Sequence, residues 1–287
     1  MAKRYDVELE KKIVEEYENG MTPYQMVKLI PELKGKRPSV IYGILKRLNV
    51  QVRNPIVITD EQKLNRRKYA INDNYFNVID TEEKAYWLGF IYADGYITTN
   101  IDRIGISLNS VDKNHLYKFK QATSATYPIN DYEEKDGYGV GSIYSRILIT
   151  SKQMKLDLQK LGVHENKTLI LTFPTQVPQN LIRHFIRGYF DGDGSLTYGS
   201  KQVCGNSNYF IKFTGTIEMI NAIQKYFGTS IKEEQRYPER RNVNNYSITI
   251  GGNQQVKRIL DDLYQDATVY LERKYNRYIE LKQLTSS

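Results

Sequence analysis

Two aspartates stand between glycines at the end of an apolar segment. They are Asp191 and Asp193, in the stretch FIRGYFDGDGSL at residues 185–196. The apolar spacing predicts a helix that ends here. An acid at the carboxyl end of a helix is unfavourable by a few tenths to about 1 kcal/mol, because the helix dipole is negative there. The sequence therefore predicts that a cation balances these carboxylates.

The same pattern occurs earlier in the chain, as YWLGFIYADGYI at residues 86–97. Setting Gly89 against Gly188 aligns Asp94 with Asp193, 99 positions apart. A motif that returns at a fixed distance indicates an internal repeat. We therefore interpret the two aspartates as equivalent positions in two halves of one chain.

The similarity continues beyond the two motifs. The segments that begin at Arg103 and Phe210 each have the pattern of an alternating strand followed by an amphipathic helix, as do those that begin at Arg146 and Ser247. Each half is predicted to run helix–strand–strand–helix–strand–strand–helix. The predicted fold class is α+β, a pseudo-twofold pair of αββαββα repeats with antiparallel sheets at residues 81–175 and 176–287.

The positive charge of the chain lies mostly in one early stretch. The whole chain has a formal charge of +8, and residues 28–68 carry eleven Lys and Arg against three acids. This distribution favours nucleic acid as the partner over a merely solvated basic surface.

Residues 1–52 have the pattern of three short helices, the last of them basic. This arrangement resembles a helix-turn-helix module, whose last helix enters a major groove. A plain helical bundle or a protein-interaction module remains open, because the predicted turn is longer than usual. Residues 53–80 are interpreted as a basic linker. The DNA-binding candidates of this region are Tyr42, Lys46, Arg47, Arg66 and Arg67.

The motifs WLGFIYADG (87–95) and IRGYFDGDG (186–194) resemble the nine-residue motif of the LAGLIDADG homing endonucleases. The resemblance covers roughly residues 80 to 280. It implies a site-specific endonuclease that cuts both strands of DNA across a minor groove and leaves short 3′ overhangs. The first motif departs from the usual pattern at Tyr92, where the second has Asp191, for which we expect a structural role.

The resemblance also implies how the motif residues work. Close packing of two helices is expected at Gly89 and Gly188, since glycine lets backbones approach. Gly95 and Gly194 are expected to end the helices in the left-handed conformation. The neighbouring carboxylates would share Mg²⁺ or Mn²⁺, which suit oxygen ligands and phosphate substrates. The metal-site residues implied are Asp94, Asp193, Ala93 and Gly192, and the basic catalytic residues are Lys167 and Lys274.

The predicted sheets would read the DNA. In RIGISLN, Ile104, Ile106 and Leu108 alternate with polar residues, so one face would pack on helices and the other would face a duplex. The candidates on the polar faces are Arg103, Ser107, Asn109, Tyr144, Arg146, Lys201, Lys212 and Thr214. Arg236, Arg240 and Arg241 lie on or near a predicted hairpin and would contact phosphates.

Three other functions remain open on the sequence. They are a LAGLIDADG-type RNA maturase, a non-cleaving DNA-binding regulator, and a helix-turn-helix regulator whose C-terminal part senses a ligand. The histidines, three in number, show no metal-ligand spacing. The start and end of the chain do not resemble splice junctions, so a free-standing enzyme is favoured over an intein.

The amino-acid composition indicates the class of protein and the compartment that we expect for it. With 40% hydrophobic residues and a mean hydropathy of −0.57, the chain is typical of a folded protein and has no apolar run that would span a bilayer. The single cysteine fits a reducing compartment. We expect a cytoplasmic monomer without a targeting sequence, encoded by a bacterium or phage and active in intron homing.

Overall fold

The computed structural model describes residues 5–53, 67–135, 139–199, 208–230, 232–235 and 243–286. The chain forms two compact units, residues 1–67 and 68–287.

The first unit consists of short helices. They are α1 (Val7–Glu18), α2 (Pro23–Leu29) and α3 (Pro38–Arg47), with a 3₁₀ turn at Pro31–Leu33. A capping box begins α2: the Thr22 side chain accepts from Gln25 N, and the Gln25 side chain accepts from Thr22 N at 2.8 Å. The core of this unit contains Ile13, Tyr17, Met26, Ile30, Leu33, Ile41, Ile44 and Leu45. The Arg47 guanidinium forms an ion pair with Glu10 of α1.

The second unit mixes helices with antiparallel sheets, which confirms that part of the predicted fold class. Its elements in chain order are α4 (Glu82–Asp94), β1 (Gly95–Ile97), β2 (Arg103–Asn109), α5 (Lys113–Ala122), β3 (Ile129–Glu133), β4 (Ile143–Thr150), α6 (Lys152–Lys160), α7 (Ile182–Asp193), β5 (Ser195–Gly199), β6 (Asn208–Gly215), α8 (Ile217–Phe227), β7 (Glu234–Gln235), β8 (Tyr246–Gly251), α9 (Asn253–Tyr264) and α10 (Glu272–Ser286). The strand orders of the two sheets are β1-β2-β4-β3 and β5-β6-β8-β7, so they correspond when β5 to β8 are matched with β1 to β4.

Each sheet has one apolar face in the core. Ile104, Ile106 and Leu108 of β2 are buried, while Ser107 and Asn109 are more accessible. In β6 the buried residues are Tyr209, Ile211 and Phe213, which alternate with more accessible ones. This period of two follows from the pleat of a strand.

Residues 69–79 belong to the second unit, although the sequence placed them in the linker. Ala70 N donates to Thr126 Oγ1 at 2.7 Å, and Thr126 N donates to Ala70 O at 3.0 Å. Tyr75, Phe76 and Ile79 are buried in the core. The aromatic side chains bury enough apolar surface to order a segment whose sequence has no regular period.

Candidate active site and sheet surfaces

Helices α4 and α7 pack against each other through Gly89 and Gly188. A Cβ on Gly89 would overlap the carbonyl oxygen of Phe185 and lie 2.9 Å from Tyr189 N. A Cβ on Gly188 would overlap the carbonyl oxygen of Tyr86. Any larger residue at either position would push the helices apart, so the contact requires glycine on both sides.

The carboxyl ends of the two helices also touch. A Cβ on Gly192 would overlap the Ala93 side chain and lie 3.3 Å from Asp94 Oδ2. Asp94 is the last residue of α4, and Asp193 is the last residue of α7. The pairing of the helices therefore brings the two aspartates to one place, Asp193 exposed and Asp94 only partly accessible.

The prediction of a left-handed helix end was wrong for Gly95 and Gly194. Their φ angles are both −78°, with ψ of 157° and 163°, so both are extended. Gly95 is the first residue of β1, and Gly194 directly precedes β5. A Cβ on Gly95 would lie 2.8 Å from Ile91 O, and one on Gly194 would lie 2.6 Å from Phe190 O. Glycine is required here by close approach to the preceding helical turn.

Two buried lysines bind the carboxyl ends of these helices. Lys167 Nζ donates to Ala93 O at 2.8 Å. Lys274 Nζ donates to Gly194 O at 2.6 Å, to Asp191 O at 2.8 Å and to Phe190 O. A cation at this end opposes the negative end of the helix dipole. The two lysines thus place positive charge beside the helix ends that carry Asp94 and Asp193.

Burial first, and then the neighbouring charges, shift the pKa values of these groups. Burial, followed by the charge of Asp193, raises the pKa of Asp94 to about 7, against a smaller lowering by Lys274 and Lys167. Burial lowers the pKa of Lys274 to about 8. Burial also lowers the pKa of Lys167, while Asp193 and Asp94 raise it. Both lysines therefore interact electrostatically with both aspartates.

Asp191 lies inside the protein, apart from the exposed helix end. Its carboxylate accepts hydrogen bonds from Tyr86 Oη at 2.7 Å, Tyr264 Oη at 2.5 Å and Leu271 N at 2.8 Å. Sequence reasoning missed Tyr86 and Tyr264, whose partners are distant in sequence. The difference between Tyr92 and Asp191 in the two motifs was the one sequence signal that pointed here.

The accessible face of the first sheet collects several predicted residues. Arg146 lies opposite Ser107 in the β2–β4 pair, and Tyr144 lies opposite Asn109. The Arg146 guanidinium stacks 4.7 Å from the Tyr132 ring centroid. Arg103 is half-buried at the start of β2. Paired residues of neighbouring strands share a face, so this face offers hydroxyl, amide and guanidinium groups together.

On the second sheet, the predicted residues Lys212 and Thr214 share a face. Lys212 lies opposite Ser195 and Thr249, and Thr214 lies opposite Ser247. Because β1 and β5 begin directly after the motif helices, both sheets start at the end where the aspartates lie.

The remaining predicted residues lie in the first unit or outside the described residues. Tyr42 and Lys46 are exposed on α3 of the first unit, with Arg47 held by its ion pair. Arg67 is half-buried. Five predicted DNA-binding residues lie outside the described residues: Arg66, Lys201, Arg236, Arg240 and Arg241.

The described residues contain neither a three-residue metal-binding cluster nor a helix able to span a membrane. No three side chains among His, Cys, Asp and Glu converge there as a metal-binding group. In the same residues, no helix combines the length and apolarity needed to cross a bilayer.

No protein-family model matches the chain. Two curated proteins of Methanocaldococcus jannaschii are similar to it. DNA-directed RNA polymerase subunit Rpo1C is 27% identical over 127 residues, which are 43% of this chain. Replication factor C small subunit is 24% identical over 224 residues, which are 76% of this chain. The chain spans only 14% of the length of the first protein and 11% of the second.

Several solved structures are similar to the chain. I-SmaMI bound to uncleaveable DNA has a TM-score of 0.49 and 11% identity, covering 69% of this chain and 87% of that one. I-LtrWI bound to target DNA has a TM-score of 0.47 and 12% identity, covering 75% and 92%. I-AabMI bound to uncleaved DNA has a TM-score of 0.48 and 12% identity, covering 70% and 90%. All three are LAGLIDADG proteins, the family that the two nine-residue motifs resemble.

Proposed function

We propose that this chain is a LAGLIDADG homing endonuclease, a metal-dependent enzyme that cuts both strands of DNA at a specific site. The observation that carries the proposal is the meeting of Asp94 and Asp193 at the touching ends of two helices packed through Gly89 and Gly188. Repulsion between the carboxylates contributes to the raised pKa of Asp94. Strongly shifted pKa values cluster at functional sites, which supports a functional role for this pair.

The donor set fits Mg²⁺ or Mn²⁺. Asp94 and Asp193 offer carboxylate oxygens, and the main chain at Ala93 and Gly192 adjoins them, which suits hard cations that keep several waters. When bound, such a cation activates water and stabilises the leaving oxygen of a phosphodiester. The two aspartates would hold it, and each would act in the cleavage of one DNA strand.

The lysines contribute fixed positive charge. Lys274 directs hydrogen bonds at three main-chain carbonyls, so its ammonium is immobile and nearly surrounded by protein. A fixed charge in a water-poor place stabilises developing negative charge more than a mobile one in water does. Lys167 would have the same role beside Ala93 at the other helix end.

The two sheets would form the surface that contacts DNA. Their matching strand orders support a pseudo-twofold repeat, which gives each half of a long duplex site its own sheet. Arg146 and Lys212 occupy central strands of the two sheets, with polar residues opposite them. Since both motifs lie in one chain, we propose that a monomer suffices. The first unit would add affinity as a helix-turn-helix module.

The test selects cleaved sites from a random duplex library with Mg²⁺. Wild-type protein is expected to yield one long target site with cuts in both strands, and EDTA is expected to stop cleavage. Asp94→Asn and Asp193→Asn should abolish double-strand cutting, whereas the matched control Asp102→Asn, at an exposed carboxylate, should cleave normally. Specific binding of DNA or RNA without metal-dependent cleavage would overturn the nuclease proposal and favour a regulator or a maturase.

A further inference from the structure

The two motifs differ at one buried position, where the first has Tyr92 and the second has Asp191. The Tyr92 hydroxyl donates to Leu161 O, at the end of α6. Asp191 instead binds Leu271 N, at the beginning of the chain segment that carries Lys274. The equivalent positions therefore support different parts of the protein.

Asp191 fixes the start of α10. Its carboxylate accepts from Leu271 N, and Leu271 O in turn accepts from Lys274 N and Tyr275 N, both at 3.0 Å. Lys274 then returns its ammonium to the main chain of Asp191 at 2.8 Å. The side chain of Asp191 sets where this helix begins, and the helix sets where the Lys274 ammonium lies.

The segment before Lys274, residues 268–271, is also held by the half of the unit that carries the first motif. Thr268 N donates to Glu82 Oε1 at 2.8 Å, and Lys118 Nζ donates to Tyr270 O at 2.9 Å. The hydroxyl of Tyr86, on α4, donates to Asp191 itself. These bonds hold Asp191 and the segment that leads to Lys274.

Lys167 is held by other means. Leu171 O accepts from Thr216 Oγ1 at 2.6 Å, and Leu169 O accepts from Asn244 Nδ2 at 3.2 Å. Among the described residues, Tyr92 forms its one side-chain hydrogen bond with Leu161, six residues before Lys167. Perturbing the Asp191 network should therefore displace one lysine and leave the other in place.

We infer that Asp191 is a positioning residue for Lys274 and thereby controls the rate at which one of the two DNA strands is cut. Three hydrogen-bond donors, from Tyr86, Tyr264 and Leu271, hold its carboxylate in place. The inference rests on the proposed endonuclease function.

The test measures the cleavage of each strand separately, on a duplex labelled differently at its two ends. Lys274→Met and Lys167→Met assign a DNA strand to each lysine: it is the strand whose cleavage that variant slows more. Tyr264→Phe removes one hydrogen bond from Asp191 and keeps the ring, and it should slow the Lys274 strand about three- to tenfold. Asp191→Asn places an amide group among the three hydrogen-bond donors, and it should slow cleavage of that strand about ten- to a hundredfold. The other strand should stay within about twofold, so nicked DNA accumulates.

Tyr92→Phe is the matched control, because it removes the hydroxyl at the equivalent position of the first motif. It should leave the rate of the Lys274 strand unchanged. Equal slowing of both strands by Tyr264→Phe, or slowing of the Lys274 strand by Tyr92→Phe, would overturn the inference while the endonuclease function stands. Absence of cleavage by the wild-type protein would instead overturn the function itself.

A second measurement needs no catalysis. Reductive methylation of the free protein, followed by mass spectrometry, reports how accessible each lysine is. Asp191→Asn should speed the labelling of Lys274 at least about threefold relative to Lys167, because only Lys274 loses its support. An unchanged labelling ratio in a folded variant would contradict a positioning role.

Discussion

Replacing Asp94 with asparagine should stabilise the metal-free protein, although it removes a proposed catalytic group. The pKa of Asp94 is raised from 3.8 to about 7, mainly by burial and then by Asp193. A pKa difference of this size corresponds to about 4 kcal/mol of unfavourable free energy when the carboxylate is charged, at about 1.36 kcal/mol per pKa unit. Solvent reaches part of the side chain and screens its charge, so we expect a gain of about 1–3 kcal/mol in Asp94→Asn.

The gain should depend on pH in a definite direction. The folded state binds a proton at Asp94 more tightly than the unfolded state, so between about pH 4 and pH 7 the metal-free wild type loses stability as pH rises. Above pH 7 this loss is complete. At pH 5 only roughly a third of the loss has developed, so the difference between Asp94→Asn and wild type should shrink accordingly.

Urea unfolding in EDTA at pH 8 and pH 5 measures this difference. Trp87 is the only tryptophan and is fully buried in α4, so its fluorescence reports the unit that contains the site. Adding Mg²⁺ should stabilise wild type more than Asp94→Asn, because the cation binds the ionised carboxylate. Asp102→Asn controls for the loss of a carboxylate at an exposed position. An Asp94→Asn protein no more stable than wild type at pH 8, or a gain that grows at pH 5, would refute the reasoning.

Three further predictions address packing and DNA binding. Gly89→Ala should destabilise the second unit by about 3 kcal/mol or more in urea unfolding, since its Cβ would overlap a backbone carbonyl. In the control Gly228→Ala, the new Cβ would lie in open space on a residue with left-handed φ, so the loss of stability should be only about 1–2 kcal/mol. Removing residues 1–67 should weaken DNA binding and reduce the slope of log K against log salt by about 2–4, while metal-dependent cutting remains. Arg146→Ala should weaken target binding about tenfold in a titration, and Tyr132→Phe, which keeps the ring beneath the guanidinium, should not.

The order of helices and strands could be predicted because it depends on local periodicity. The alternation at Ile104, Ile106 and Leu108 and the capping box at Thr22 each involve residues close in sequence. The repeat added long-range information, since two copies of a pattern indicate equivalent places in a fold. The helix contact at Gly89 and Gly188 could therefore be anticipated from the motifs.

Other features depend on contacts between distant residues. The conformation of Gly95 was predicted wrongly because a glycine after a helix usually indicates a left-handed cap, whereas here the chain turns directly into β1 beside Ile91. Tyr86 and Leu271 reach Asp191 from 105 and 80 positions away, and nothing in the local pattern of either residue records that contact. The site's composition was visible in the sequence, but its supporting network was not.

Lys274 combines a proposed catalytic role with a structural one, and this determines how its variants must be interpreted. Lys274→Met would remove the donor from Phe190 O, Asp191 O and Gly194 O at once, so we expect it to destabilise the end of α7 as well as remove a charge. A change confined to charge would slow one strand, whereas a frayed helix end would also displace Asp193 and alter its distance from Asp94. The ratio of the two strand rates separates these effects. In the proposed reaction, the lysines that support the two helix ends also assist cleavage. A large loss of both activity and stability in one lysine variant would follow from this double role.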